Sequence, residues 1–488
     1  MEIRDRVATG SPVILWWFQH LMSPLTIPTN HVPRLRVIPS LWPGMCVALV
    51  AALCGCASHV DRVVSVRNDF YAGKLETARA EVQVLRDKHK SDEDVFDLDR
   101  AMIELCAGHP KEAEKLLRHV RDDFDTYEEK SAKEIATSML TDDTKIAYAG
   151  EDHEKILVRT FLALSNLMGD GGDAHAYALQ IGAKQSELAE KNQKQIEEHT
   201  PEGEALPAAP ELPQVALGPY VRAMLHEESA LDANEVVRAR EMVVSYVPDF
   251  RDGEADLERA LGDSACAPDH GAIYLFTMVG RGPIKEVSED VPTQMALLIA
   301  DQIISALGSQ TLPPTIAPVK VARVVRRPNR IQAVMADMDG SSVGTTATLV
   351  DVGELAEAHY QARYHEILAM AVARRTIKKG SIYVAKEKLN ADTNPALDIL
   401  LTLGGIAWEA SEAADTRCWG LLPETIQVLR IEAPVGTRTL KLQAVDVHGA
   451  YGVPESVSVD VREQRNTYVL ANFPDSHLVG KVLVSGQE

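Results

Sequence analysis

A short unit recurs three times in the first half of the 488-residue chain: a glycine, an alanine five positions later, and apolar side chains four and seven positions beyond the alanine. Gly73 is followed by Ala78, Val82 and Leu85; Gly108 by Ala113, Leu117 and Val120; Gly169 by Ala174, Ala178 and Ile181. Each element of the unit has a physical meaning. Glycine lets the chain reverse, alanine lets two helix axes approach closely, and the apolar spacing keeps one helical face. Val63, Val66 and Phe70 hold the same period from Val60 onward, without strand-type alternation. Residues 60–250 are therefore expected to be stacked helix pairs.

The unit resembles the tetratricopeptide repeat, whose turn glycine and packing alanine stand at this separation. Gly108 follows Gly73 by 35 residues, close to that repeat's period of about 34. Gly169 comes much later, so the helices of 122–140 read as an insertion or a degenerate copy, and 220–246 as a fourth pair that has lost its glycine. Pro201, Pro207, Pro210, Pro213 and Pro219 make 199–219 a solvated insert. Before it, Lys184, Glu187, Glu190, Lys191 and Lys194 mark a polar helical extension with supporting charge pairs.

Ahead of the array, Leu41 to Leu53 is strongly apolar but shorter than the roughly 20 residues that span a bilayer. Arg34 and Arg36 precede it and Leu53-Cys54-Gly55-Cys56 follows, the basic, apolar and small-residue order of a secretory signal. That order resembles a lipoprotein signal, in which a leucine stands three places before the acylated cysteine. Residues 1–55 are then a leader, with translation starting at Met22 or later and 1–21 an artefact of the assigned start. Cys56 is the expected lipid attachment site. Ala57 replaces the Asp that would favour the inner membrane, so the expected location is the outer membrane, facing the periplasm. Export leaves Cys106, Cys266 and Cys418 in an oxidising compartment. A bridge between Cys266 and Cys418 and a set of buried free thiols both remain open.

The pattern changes after Gly262. Residues 272–279 are a β-branched and aromatic run closed by Gly280-Arg281-Gly282-Pro283, a buried strand and its turn. A helix is expected over 292–307, extended segments near 319–325 and 347–350, and a long helix over 353–376. Runs at 425–431, 437–445, 457–462 and 467–471, with an edge at 479–484, have the spacing of an antiparallel sandwich. The expected fold class is α+β multidomain: a tetratricopeptide-like α-solenoid, then a mixed α/β region over 263–424 ending in a small β-sandwich over 425–488.

The formal charge is -21, and the first 55 residues carry +2, so nucleic acid is an unfavourable partner. The sequence holds no phosphate-binding loop, zinc helix, nucleophile elbow or paired cysteine motif, and no catalytic residue, cofactor or metal is expected. His359, His365 and Glu366 read as one helix's surface rather than ligands. Glu151 and Asp152 begin a strongly apolar helix, where capping and the helix dipole favour carboxylates; a partner-binding role is the competing reading. Asp415, Arg417 and Trp419 are spaced for an ion pair covered by an indole, either a structural joint or a partner-binding edge. Arg323, Arg326, Arg327 and Arg330 form a basic run in an acidic chain, read as a solvated strand end or a contact for an anionic partner.

Three stretches, Tyr148-Ala149-Gly150-Glu151-Asp152-His153-Glu154-Lys155 with its following helix, Gly282-Pro283-Ile284-Lys285, and residues 414–423 around Asp415-Thr416-Arg417-Cys418-Trp419, resemble a family of uncharacterised bacterial lipoproteins with helical repeats and a β-rich C-terminal region. The resemblance implies architecture rather than activity. Repeat arrays generally bind protein or peptide segments, so the expected function is a lipid-anchored, non-catalytic scaffold that recruits a periplasmic or envelope protein. The alternative is an envelope enzyme or carbohydrate-binding protein with its site near Asp415 and Arg417.

Overall fold

The computed structural model describes residues 58–128, 147–199, 211–228, 232–262, 266–306, 317–388 and 414–486. The leader with Cys56, most of the 122–140 segment and most of the Pro-rich insert lie outside the described residues. The fold is mixed α+β.

A short helix, α1 (His59–Arg62), leads into α2 (Val64–Tyr71), α3 (Leu75–Lys88), α4 (Glu93–Ala107), α5 (Pro110–Glu128), α6 (Asp152–Met168), α7 (Ala174–His199), α8 (Leu217–Glu227), α9 (Ala233–Tyr246) and α10 (Gly253–Leu261). From α2 onward, each helix packs on the one before it and the one after it. The first two reversals use the predicted glycines, Gly73 at φ 74° and Gly108 at φ 93°, a left-handed conformation that glycine adopts without steric cost. The third does not. Gly169 has φ -88°, and Gly171 at φ 73° makes the turn, its N–H donating to the Asn166 carbonyl at 2.8 Å. Ala78, Ala113 and Ala174 are all fully buried, as close helix approach requires.

Burial divides the helices into two sets. The second helix of the first pair, α3, buries only Leu75, Ala78 and Val82, whereas every residue of α6 is buried. A helix buried all round must meet protein on every side. On one side α6 meets α5 and α7; on the other it meets the β-rich half of the chain.

That half begins with β1 (His270–Val279), then β2 (Ile284–Asp290), α11 (Gln294–Ala306), β3 (Val319–Val325), β4 (Ala333–Met338), β5 (Ser341–Thr345), β6 (Ala347–Asp351), α12 (Val352–Ala362) and α13 (Tyr364–Lys388). After residue 424 come β7 (Thr425–Pro434), β8 (Gly436–Asp446), β9 (Gly449–Ala450), β10 (Glu455–Val461), β11 (Asn466–Phe473) and β12 (Leu483–Val484). The first sheet runs β12-β11-β1-β7-β6 and the second β10-β8-β4-β5. The strands after residue 424 thus do not close a sheet by themselves. Both sheets are completed by strands from before residue 352, with β1 at the centre of the first, parallel to β11 and antiparallel to β7.

Strand alternation sorts the two faces of β1. Ile273, Leu275 and Val279 join Leu429, Leu440, Leu442, Val459 and Phe473 in a core shared with the second sheet. Tyr274, Phe276 and Met278 point the other way, into the core of the helices. A third cluster packs α11 and α13 on the two-stranded β2–β3 sheet through Ile299, Val319, Val321, Leu368 and Val372. The long helix expected over 353–376 is broken at Arg363 into α12 and α13.

Candidate functional site

Residues 414–424 form neither helix nor strand, yet Arg417, Trp419, Leu421 and Leu422 are buried. Buried backbone groups outside regular structure need partners from elsewhere. Here the first helices of the pairs supply them. The Trp419 N–H donates to Glu154 Oε1 of α6 at 2.7 Å, and the Leu421 N–H to Asp99 Oδ1 of α4 at 3.1 Å. The Gly420 carbonyl accepts from the Tyr71 hydroxyl of α2 at 3.4 Å and from Arg327 at 3.3 Å. This strap therefore lies across α2, α4 and α6.

Its side chains are held as firmly. Arg417 donates to Asp415 at 2.9 and 2.7 Å and to Asp92, just before α4, at 3.3 Å. The expected ion pair is present, but the ring over the guanidinium is Tyr148, whose centroid lies 5.3 Å away. Trp419 instead stacks, tilted, on Phe161 of α6 at 5.3 Å and is 1% exposed. The indole is thus used for packing against α6, and the guanidinium is covered by a ring from just before that helix.

Glu151 caps the N-terminus of α6, and its N–H donates back to Glu154 Oε2 at 3.0 Å. Its carboxylate pairs with Lys285 at the start of β2. Burial pushes the Lys285 ammonium down, but the carboxylates of Glu151 and Asp415 outweigh it and hold it above its usual range. Asp415 is raised by burial, yet Arg417 and then Lys285 bring it to about 2. Lys285 thus joins Glu151 and Asp415, two candidates far apart in sequence. Both reach a cleft of about 190 Å³ also lined by Lys320, Tyr360 and Arg363. Asp152 faces away from it, buried against Lys155 at 3.2 Å and Arg363 at 3.9 Å.

Two acceptors that the sequence reading missed, Asp99 and Glu154, are fully buried. Burial lifts Asp99 to about 7, against the pull of Arg67 and of the N–H groups of Leu421 and Gly420. Burial and the neighbouring Glu151 raise Glu154. The signal that would have found them is an acid within an apolar helical face: Asp99 between Phe96 and Met102 or Ile103, Glu154 beside Leu157 and Val158.

His153 of α6 and His359 of α12 are both buried, and burial lowers each to about 4. In the unfolded chain they titrate near 6.5. The folded state therefore binds fewer protons below that pH, and these two groups subtract stability as pH falls from about 6.5 through about 4. Carbon-detected histidine titration is expected to show neither ring taking a proton above about pH 5, and midpoints near 6.5 for both would overturn this burial. His365 and Glu366 are on a different helix, bonded to Thr293 at 2.9 Å and Arg363 at 3.1 Å.

Three arginines of the basic run are used internally. Arg326 binds Glu424 at 2.7 Å, Arg327 binds the Gly282 carbonyl at 2.6 Å, and Arg330 binds Asp446 at 2.9 Å; Arg323 is exposed. Ligand atoms of Glu93, Asp97 and His119 gather within 4.8 Å, but Arg86 already pairs with both acids. Cys106, Cys266 and Cys418 are free and buried, so no bridge joins the last two. Burial pushes the Cys106 and Cys418 thiols up to about 12. In a chain with Cys46, Cys54 and Cys56 replaced by serine, Ellman's reagent is expected to leave both unmodified until denaturant is added; prompt labelling of the native protein would contradict their burial.

No described helix is long and apolar enough to cross a membrane. Searches with the whole chain found no matching family model, no matching curated protein and no matching solved structure.

Proposed function

We propose that the chain is a lipid-anchored, non-catalytic interaction module of the bacterial cell envelope, a tetratricopeptide-like array braced by a β-sandwich, of the kind found in the uncharacterised lipoproteins it resembles. One observation carries the reading: the first helices of the array hold an irregular chain segment by its backbone and side chains, which is how an array binds a partner peptide. The charges around Glu151, Lys285, Asp415 and Arg417 neutralise one another in the ion pairs described, and such pairs hold two halves of a protein in register.

Three measurements test this. A photo-crosslinking residue at Val64, exposed on the first helix α2, is expected to trap one stoichiometric envelope protein, whereas the same residue at exposed Val447 of the β-rich half traps none. Glycan binding that is abolished by Asp415→Asn, with no trapped protein, would favour the carbohydrate-binding alternative. Fatty-acid analogue labelling is expected to vanish in Cys56→Ala; retained labelling would defeat the proposed anchor.

A further inference from the structure

We propose that the seat formed by α2, α4 and α6 is a peptide-binding site for irregular segments carrying a basic residue, an aromatic residue two places on, then a small residue and a leucine. The chain's own residues 415–423 fill it in cis. This rests on the reading of the array as an interaction module, and it adds what the array recognises and why that site is occupied.

The seat's chemistry demands such an occupant. Asp92, Asp99 and Glu154 are 2%, 0% and 0% exposed, and a buried carboxylate is costly unless donors surround it. The strap supplies a donor to each: the Arg417 guanidinium to Asp92, the Leu421 N–H to Asp99 and the Trp419 N–H to Glu154, whose other oxygen is held by the Tyr148 hydroxyl and the Glu151 N–H. The last two acceptors stand on neighbouring first helices and take alternate N–H groups of one segment. Backbone capture of this kind is indifferent to side chain, so selectivity must come from the positions around it.

Each such position has a defined preference. Asp92, shared with Arg62 at 3.0 Å, takes a cation. Phe161, fully buried, takes an aromatic ring. At Gly420 an added methyl would lie 3.4 Å from Arg67 Cδ and 3.5 Å from Asp99 Oδ2, leaving room for little more. Leu421 and Leu422 sink into the core shared by helices and sheet. The seat therefore reads a pattern, and Arg417-Cys418-Trp419-Gly420-Leu421 satisfies it. A partner segment with the same chemistry must displace the strap, which competes at the high effective concentration of a tethered ligand.

The test uses the full chain and a dye-labelled synthetic peptide of residues 414–424, followed by fluorescence anisotropy. Wild type is expected to show no saturable binding. Trp419→Ala in the full chain is expected to bind the peptide at least about tenfold more tightly than wild type does, and a peptide with alanine at the tryptophan position to bind that variant about tenfold more weakly. Should Trp419→Ala lose its helical circular dichroism, Arg417→Ala, which vacates only the Asp92 end, carries the same expectations. Folded variants that ignore the peptide, equal binding by wild type, or indifference to the tryptophan would each overturn the proposal. Peptide binding without cellular cross-links would sink the interaction-module reading alone; cross-links without peptide binding would sink the occupied seat alone.

Discussion

Replacing Arg240 with methionine is expected to lower the unfolding free energy by about 3–5 kcal/mol. Arg240 of α9 is 0% exposed and stands between two buried carboxylates, Glu227 at 2.7 Å and Asp256 at 3.1 Å. It also donates to the Tyr274 hydroxyl of β1 at 3.2 Å and lies 4.5 Å from the Tyr220 ring centroid. Burial pushes Glu227 up, but Arg240 outweighs it and keeps the carboxylate below its usual range. Methionine fills much of the volume yet leaves Glu227 in the interior without its ion-pair partner and Asp256 with Arg259 alone, and an uncompensated buried charge is what makes breaking such a pair costly. Urea denaturation followed by far-UV circular dichroism checks the value. A loss below about 1 kcal/mol would mean that the site is hydrated and the pairs are worth no more than surface ones. Adding Glu227→Gln is expected to recover part of the loss, because the orphaned charge goes with the arginine.

Trp419→Ala is expected to cost a similar amount, about 3–5 kcal/mol, through a different mechanism. The indole is 1% exposed, and its removal opens a cavity against Phe161 while the Trp419 N–H remains tied to Glu154. Trp419→Phe keeps the ring contact and should cost less than half as much. Thermal unfolding ranks the two; the backbone bond to Glu154 is kept in both, so equal losses would show that a phenyl ring recovers none of the indole's packing on Phe161. A single substitution of this size removes a large share of a typical stability margin of about 5–15 kcal/mol.

The helices were legible because their apolar period is local: Ala78, Val82, Ala113, Leu117, Ala174 and Ile181 lie on buried faces as the spacing required. Local pattern also located β1, β3, β6 and most strands after residue 424. It failed at β2, whose residues are mostly charged, and at β4 and β5, whose Met, Asp, Ser and Gly content weakens the strand signal. Pairing was not legible at all. A continuous apolar run shows that β1 is buried but not that Ala272 lies beside Asn466 or Ile273 beside Ile431, because nothing in a strand's own residues names its neighbour.

The candidate residues show the same division. Glu151 as a cap and Asp415 with Arg417 as a pair depend on short separations, and short separations are visible in a sequence. That Lys285 joins the two, and that Asp99 and Glu154 receive the strap, depends on contacts between distant segments. An acid inside an apolar helical face is the one local trace of such a contact. It marks a place where some donor must arrive, without saying which.

The strap also sets a timetable. Glu154 and Asp99 lie early in the chain, and their backbone donors lie more than 250 positions later. At about 5–20 residues per second, synthesis separates the two by some tens of seconds. During that interval Asp99 lacks its Leu421 donor and one oxygen of Glu154 lacks its Trp419 donor, so the last hydrogen bonds of the N-terminal helices form only when the polypeptide is almost complete.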